Sequence, residues 1–203
     1  MDLNGREVFR QDYTRALEFS NGMAQVFKKR KWGYMDRTGK LVIPLVYSRT
    51  EPFKEGLALV SKGTHWGFID RTGEKVIPLK YMDAKSFSEG LAVVKKGSND
   101  KYGYIDQTGK EVISSIYTSA RSFSEGLAAV EKDGKWGYID RTGKTILPFI
   151  YKIASSFNGS MAEVTFEGKK IVINKQGQQL FFIGYDKSNG QSMQDLMNKM
   201  NSK

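Results

Sequence analysis

The sequence contains no cysteine and a single histidine, His65. The first absence removes disulfide frameworks, thiol catalysis and thiolate metal sites together. The second leaves His65 without the partners that a nucleophilic triad or a zinc site requires. Long apolar runs are missing too, since no stretch approaches the roughly 18 residues of a membrane helix. Residues 1–10 are polar and lack the basic-then-apolar order of a secretory signal. These absences lead to the expectation of a soluble, cytoplasmic, non-enzymatic chain with no cofactor, no metal and no membrane span.

The charge is not balanced. The formal net charge of +10 raises the question of anionic partners: nucleic acid, acidic lipid or an acidic protein face. Apart from Lys28-Lys29-Arg30-Lys31, however, the basic residues are scattered along the chain. That scatter reads first as a solvated surface, and nucleic-acid binding has only the charge in its favour.

The dominant feature is repetition, which decides the fold class before any local reading does. The string Lys31-Trp32-Gly33-Tyr34-Met35-Asp36-Arg37-Thr38-Gly39-Lys40 returns as Trp66-Gly67-Phe68-Ile69-Asp70-Arg71-Thr72-Gly73. It returns again from Tyr102 and from Trp136, and in worn form from Lys170. A second string, Phe53…Gly56-Leu57-Ala58-Leu59-Val60, has counterparts beginning at Phe19, Phe87, Phe123 and Phe157. Tyrosine marks one point six times, at Tyr13, Tyr47, Tyr81, Tyr117, Tyr151 and Tyr185. Three markers with a shared period of roughly 34 residues define units starting near 19, 53, 87, 123 and 157, preceded by a half-unit over 1–18.

Within a unit, Gly-Leu-Ala-x-Val and Trp-Gly-Tyr-Ile-Asp both alternate as half-buried strands do. Trp32 and Tyr34 then share one face, with Gly33 and Met35 on the other. Lysine-, glycine- and aspartate-rich segments such as Glu131-Lys132-Asp133-Gly134-Lys135 read as hairpin turns. Asp-Arg-Thr-Gly fits a type I turn, the Asp accepting from the backbone two residues on and the Gly supplying a positive φ. A third strand such as Lys75-Val76-Ile77 is expected to stop at Pro78, and the segment carrying Tyr81 to be irregular or a weak fourth strand. Units this small bury their aromatic rings only by stacking on neighbours.

At these residues the sequence resembles the WG repeat family, also called KWG repeats, of bacterial proteins. The motif Lys-Trp-Gly-Tyr-Ile-Asp-x-x-Gly-Lys, then Val-Ile-Pro, Tyr and Phe-x-Glu-Gly-Leu-Ala-x-Val, covers nearly all of residues 2–185. The naming pair falls at Trp32-Gly33, Trp66-Gly67 and Trp136-Gly137, becomes Tyr102-Gly103, and is lost at Lys170-Ile171. The resemblance implies an interaction repeat and names no ligand.

The expected fold is therefore an all-β array over residues 1–185, either an open twisted solenoid or a five-bladed propeller. Propeller blades usually take about 40–45 residues, which favours the solenoid. Residues 186–203 read as a polar linker and a short helix, with Met193, Leu196, Met197 and Met200 on one stripe.

No catalytic constellation emerges. The recurring Asp36, Asp70, Asp106 and Asp140 are each explained by a turn. Two candidate binding columns remain. Arg37, Arg71, Arg141 and Lys175 follow the turn Asp or its Asn counterpart and would form a cationic edge for a protein partner. Trp32, Trp66, Tyr102 and Trp136 would form an aromatic ladder able to stack on a glycan if exposed. A protein–protein scaffold is the leading expectation, glycan or cell-surface ligand binding the second.

Overall fold

In the computed structural model the described residues are 13–98 and 100–182. Most of the half-unit expected over 1–18, and the linker and helix expected over 186–203, lie outside the described residues. The described chain is all strand and turn, and its twenty strands form five four-stranded antiparallel sheets.

The second sheet shows the plan. It comprises β5 (Arg49–Thr50), β6 (Ala58–Lys62), β7 (His65–Ile69) and β8 (Lys75–Tyr81), paired in sequence order. The first sheet has β1 (Arg15–Ala16), β2 (Met23–Lys28), β3 (Lys31–Asp36) and β4 (Leu41–Tyr47). The third has β9 (Asp83–Ala84), β10 (Ala92–Lys95), β11 (Tyr102–Ile105) and β12 (Glu111–Tyr117). The fourth has β13 (Ser119–Ala120), β14 (Leu127–Lys132), β15 (Lys135–Asp140) and β16 (Thr145–Tyr151). The fifth has β17 (Ile153–Ala154), β18 (Met161–Phe166), β19 (Lys169–Asn174) and β20 (Gln179–Phe182).

Two expectations need correction. The weak fourth strand exists, but as a two-residue strand that opens each sheet after the recurring tyrosine, as Asp83–Ala84 follows Tyr81. The third long strand does not stop at Pro78 but continues to Tyr81. Proline is tolerated there because the ladder is already interrupted. Phe68 pairs with Ile77 and Trp66 with Tyr81, so two extra residues bulge from β8 and no ladder hydrogen bond is required of Pro78.

That bulge explains the glycine of the Trp-Gly pair. A Cβ on Gly67 would lie 2.6 Å from the Ile77 carbonyl oxygen and 2.7 Å from the Leu79 nitrogen, closer than any side chain permits. Gly103 meets the Ile113 carbonyl in the same way at 2.7 Å. The tryptophan pairs with the tyrosine that ends the sheet, and the glycine lets the bulged strand press against its neighbour.

The second, third and fourth sheets are buried on both faces because alternate residues point to opposite neighbours. Leu57, Leu59, Phe68, Ile77 and Tyr81 pack forward onto Phe87, Ala92, Val94 and Ile105 of the third sheet. Ala58, Val60 and Ile69 pack backward against Tyr34, Ile43 and Tyr47 of the first. The same arrangement joins the third sheet to the fourth and the fourth to the fifth. Among the described residues no core cluster joins the fifth sheet to the first. In the fifth sheet polarity rises at the forward-facing positions among the described residues: Glu163 is exposed at the position held by Leu59 and Val93, and Met161 is 41% exposed.

Rings stack along this core. Tyr34 meets Phe53 of the next sheet with centroids 5.0 Å apart, and Phe68–Phe87, Tyr104–Phe123 and Tyr138–Phe157 repeat the contact. The hydroxyls of Tyr34, Tyr104 and Tyr138 donate to the carbonyls of Glu51, Arg121 and Ser155, each in the following sheet, at 2.7–2.9 Å. These bonds satisfy a phenol that is otherwise sealed in apolar surroundings, and burial raises the pKa of all three well above the ordinary value of 10.0.

Candidate interaction surfaces

Antiparallel pairing sends every turn to one of two rims. The β3–β4 turns and the Phe-x-Glu-Gly-Leu turns lie on one rim, and the β2–β3 hairpins and their counterparts on the other.

On the first rim, the Asp turns have the expected geometry. Asp70 Oδ1 accepts from the Thr72 backbone N–H at 2.8 Å and from the Thr72 hydroxyl at 2.6 Å, and Gly73 has φ +90°. Asp36, Asp106 and Asp140 repeat these bonds, and in each the threonine hydroxyl is the foremost influence lowering the carboxyl pKa below 3.8. Asn174 takes the role in the fifth sheet, accepting from Gln176 and Gln178.

Beside these turns stand three glutamates that no turn rule singles out. Glu55, Glu89 and Glu125 occupy the left-handed region, φ 50–55°, in two-residue hairpins completed by Gly56, Gly90 and Gly126. Glutamate is not a favoured residue there. Its carboxylate, however, accepts a backbone N–H from the next sheet: Glu55 from Gly90 at 3.0 Å, Glu89 from Gly126 at 2.9 Å, Glu125 from Ser160 at 2.9 Å. The recurrence of Glu immediately before Gly in Phe-x-Glu-Gly-Leu was the available signal.

The candidate cationic column borders these staples. Arg37, Arg71 and Arg141 are exposed, with the Arg37 guanidinium 5.6 Å from the Phe19 ring. Lys175 is half-buried and reaches back to the fourth sheet, donating to the Glu125 carbonyl at 3.0 Å and pairing with its carboxylate at 3.1 Å. Gln107 stands where the third sheet would carry a cation and donates to Glu55. Arg141 lies close to Gly90 of the preceding sheet. The column thus spans neighbouring sheets, and at Lys175 its charge is paired with an acid.

Trp32, Trp66, Tyr102 and Trp136 are all half-buried, near the opposite rim. The Arg121 guanidinium lies 5.3 Å from the Trp136 ring, and Trp32 packs on Phe27 with centroids 4.8 Å apart. Tyr102 donates to Asp83 at 2.8 Å, and burial together with that carboxylate pushes its phenol up to about 12. Trp66 lines a cleft of about 470 Å3 with Arg49, Glu51, Lys54, Lys85 and Ser86.

His65 begins β7 and is exposed. Among the described residues there is no group of three or more His, Cys, Asp or Glu positioned to hold a metal ion, and no helix long and apolar enough to cross a membrane.

Repeated four-stranded sheets stacked face to face in sequence order define a propeller-like β-repeat protein. The chain belongs to the family described as WG containing repeat, which matches residues 1–32, 32–63, 66–99, 102–136 and 136–169. A comparison with curated proteins finds no match. Among solved structures, Hsv2 of Kluyveromyces lactis is similar with a TM-score of 0.55 and 12% identity over 92% of this chain and 67% of that one. A second structure of the same protein gives 0.53 and 12% over 80% and 60%. A eukaryotic initiation factor gives 0.55 and 12% over 85% and 55%. The chain spans 60–62% of the length of the first structures it matches, and identities this low show the fold alone.

Proposed function

We propose that this chain is a non-catalytic repeat scaffold that binds a protein partner through surface positions repeated from sheet to sheet. The supporting observation is the register of the turns. Every sheet presents an Asp- or Asn-headed turn on one rim and a hairpin on the other, while the Glu staples and ring contacts hold successive sheets in fixed relation. A partner can then gather many modest contacts at regular spacing, as repeat proteins do.

A pull-down comparing the wild type with an Arg37→Ala/Arg71→Ala/Arg141→Ala variant tests the cationic column. Loss of recovery by the variant supports the column as the binding edge, and equal recovery removes it.

One observation favours a second reading, glycan binding. Trp66 borders a polar cleft, and aromatic faces beside hydroxyl and charged groups suit sugars. Tryptophan fluorescence titrated with a glycan panel is expected to shift in the wild type and not in Trp66→Phe. No shift across the panel removes this reading.

A further inference from the structure

The hairpin joining β2 to β3 departs from its counterparts in three respects. Its two central residues, Lys29 and Arg30, are both left-handed, with φ 49° and 64°. Among the described residues no other adjacent pair does this without a glycine: the fourth sheet uses Asp133-Gly134 and the fifth Glu167-Gly168. Side chains with a Cβ are strained in this region, and such hairpins favour Asn-Gly or Asp-Gly. The relaxed solution therefore exists elsewhere in the same chain, and the first sheet does not use it.

The second departure is charge. Residues 28–31 are Lys-Lys-Arg-Lys, and Lys29, Arg30 and Lys31 are exposed. The third is the base of the hairpin. Trp32 faces Phe27, whereas Trp66 faces Ser61 and Trp136 faces Glu131. A strained, wholly basic tip thus stands on a half-buried aromatic pair. Folding stability alone does not select that combination, and strain retained against an available alternative marks a functional site.

We propose that the 28–31 hairpin is a docking site for an acidic polypeptide segment, with carboxylates at the basic tip and an apolar side chain against Phe27 and Trp32. This rests on the scaffold reading and adds the chemistry of the partner. A polypeptide fits better than nucleic acid because unmixed positive charge is local to this hairpin, although single lysines recur along the rim. The second hairpin carries one lysine, Lys62, and Asp100, Asp133 and Glu167 stand among the lysines of the third, fourth and fifth. The run of four cations without an acid is thus confined to this one tip and suits a short acidic segment rather than a phosphate backbone tracking the rim.

The test is a double substitution, Lys29→Asn/Arg30→Gly, which removes two charges and supplies the residues the turn favours. Binding is read by anisotropy with a fluorescein-labelled peptide of Asp and Glu containing one Leu. A single-stranded oligonucleotide and phosphatidylserine vesicles serve as the other arms. The Kd for the peptide is expected to rise roughly tenfold, with a shallower salt dependence. The Tm of the same variant is expected to rise by roughly 2–6 °C as the strain is relieved. A Lys29→Gln/Arg30→Gln variant should lose binding without that gain.

An unchanged Kd, a fall in Tm for Lys29→Asn/Arg30→Gly, or wild-type preference for the oligonucleotide or the vesicles overturns the proposal. The scaffold reading is judged separately. A partner lost by the Arg37/Arg71/Arg141 alanine variant but kept by the hairpin variant preserves that reading and overturns this one. A wild type that recovers no partner removes the scaffold reading, while the peptide arm still decides the hairpin.

Discussion

Glu89 and Gly126 lie in successive sheets, and the carboxylate of the first accepts the backbone N–H of the second at 2.9 Å. The bond joins two left-handed turns, with φ 55° at Glu89 and 84° at Gly126. It occurs at the same place between the second and third sheets, and it turns a locally unfavourable glutamate into an element of the stacking.

Replacing Glu89 by alanine keeps the strained backbone and deletes the acceptor. The expected cost is about 1–3 kcal/mol, because a bond to a charged group is lost and a part-buried donor is left without it. Urea denaturation measures it, and an unchanged midpoint would show that the staple contributes nothing.

Two glycine substitutions should differ sharply in cost. Gly67→Ala places a Cβ 2.6 Å from the Ile77 carbonyl, which cannot withdraw without breaking the bulge, so a loss of about 3 kcal/mol or more is expected. Gly63→Ala meets nothing within 4 Å and bears only the strain of φ +60°, roughly 1 kcal/mol. Thermal unfolding of the pair separates close approach from backbone strain, and similar costs would refute the bulge argument.

The turn aspartates predict an acid limb. Asp36, Asp70, Asp106 and Asp140 are held below their ordinary 3.8, so the folded chain favours their ionised form. Their contribution is complete above that value and is lost as pH falls below it through the folded-state values. Asn174 shows that a neutral amide supports the same turn. Replacing all four by Asn should flatten the stability profile below pH 3.8, and an unaltered profile would assign acid unfolding to other carboxyls.

At the alkaline end the sign reverses. Burial raises the phenols of Tyr34, Tyr104 and Tyr138, so folding favours the protonated form. That contribution is intact below pH 10 and is lost as pH climbs above it. Tyr104→Phe removes one hydroxyl bond to the Arg121 carbonyl and is expected to cost about 1 kcal/mol. Phe68 occupies the equivalent position in the second sheet, so the ring itself is tolerated there. Stability followed from neutral pH upward should decline less steeply in Tyr104→Phe than in the wild type, and parallel curves would refute the assignment.

Much of this molecule is legible in one dimension. The period, the all-β character, the alternating faces of Trp32, Tyr34 and Met35 and the Asp-x-Thr-Gly turns are set by rules that act over a few residues. A type I turn needs only its own four residues to specify it. The short opening strand and the passage of β8 through Pro78 were not legible, because a two-residue strand carries no pattern and a bulge is a relation between two strands.

The tertiary structure alone decided what the repeated residues do for one another. Glu55 and Gly90 are 35 residues apart, and no local rule joins a carboxylate to an amide across that distance. The same holds for Gly67, whose need for no side chain comes from Leu79 pressing on it across the ladder. Charge obeys this logic as well. In sequence the cations are spread along the chain, but antiparallel pairing sorts alternate turns to opposite rims, setting the Lys175 ammonium against Glu125 and leaving the 28–31 hairpin exposed at its tip.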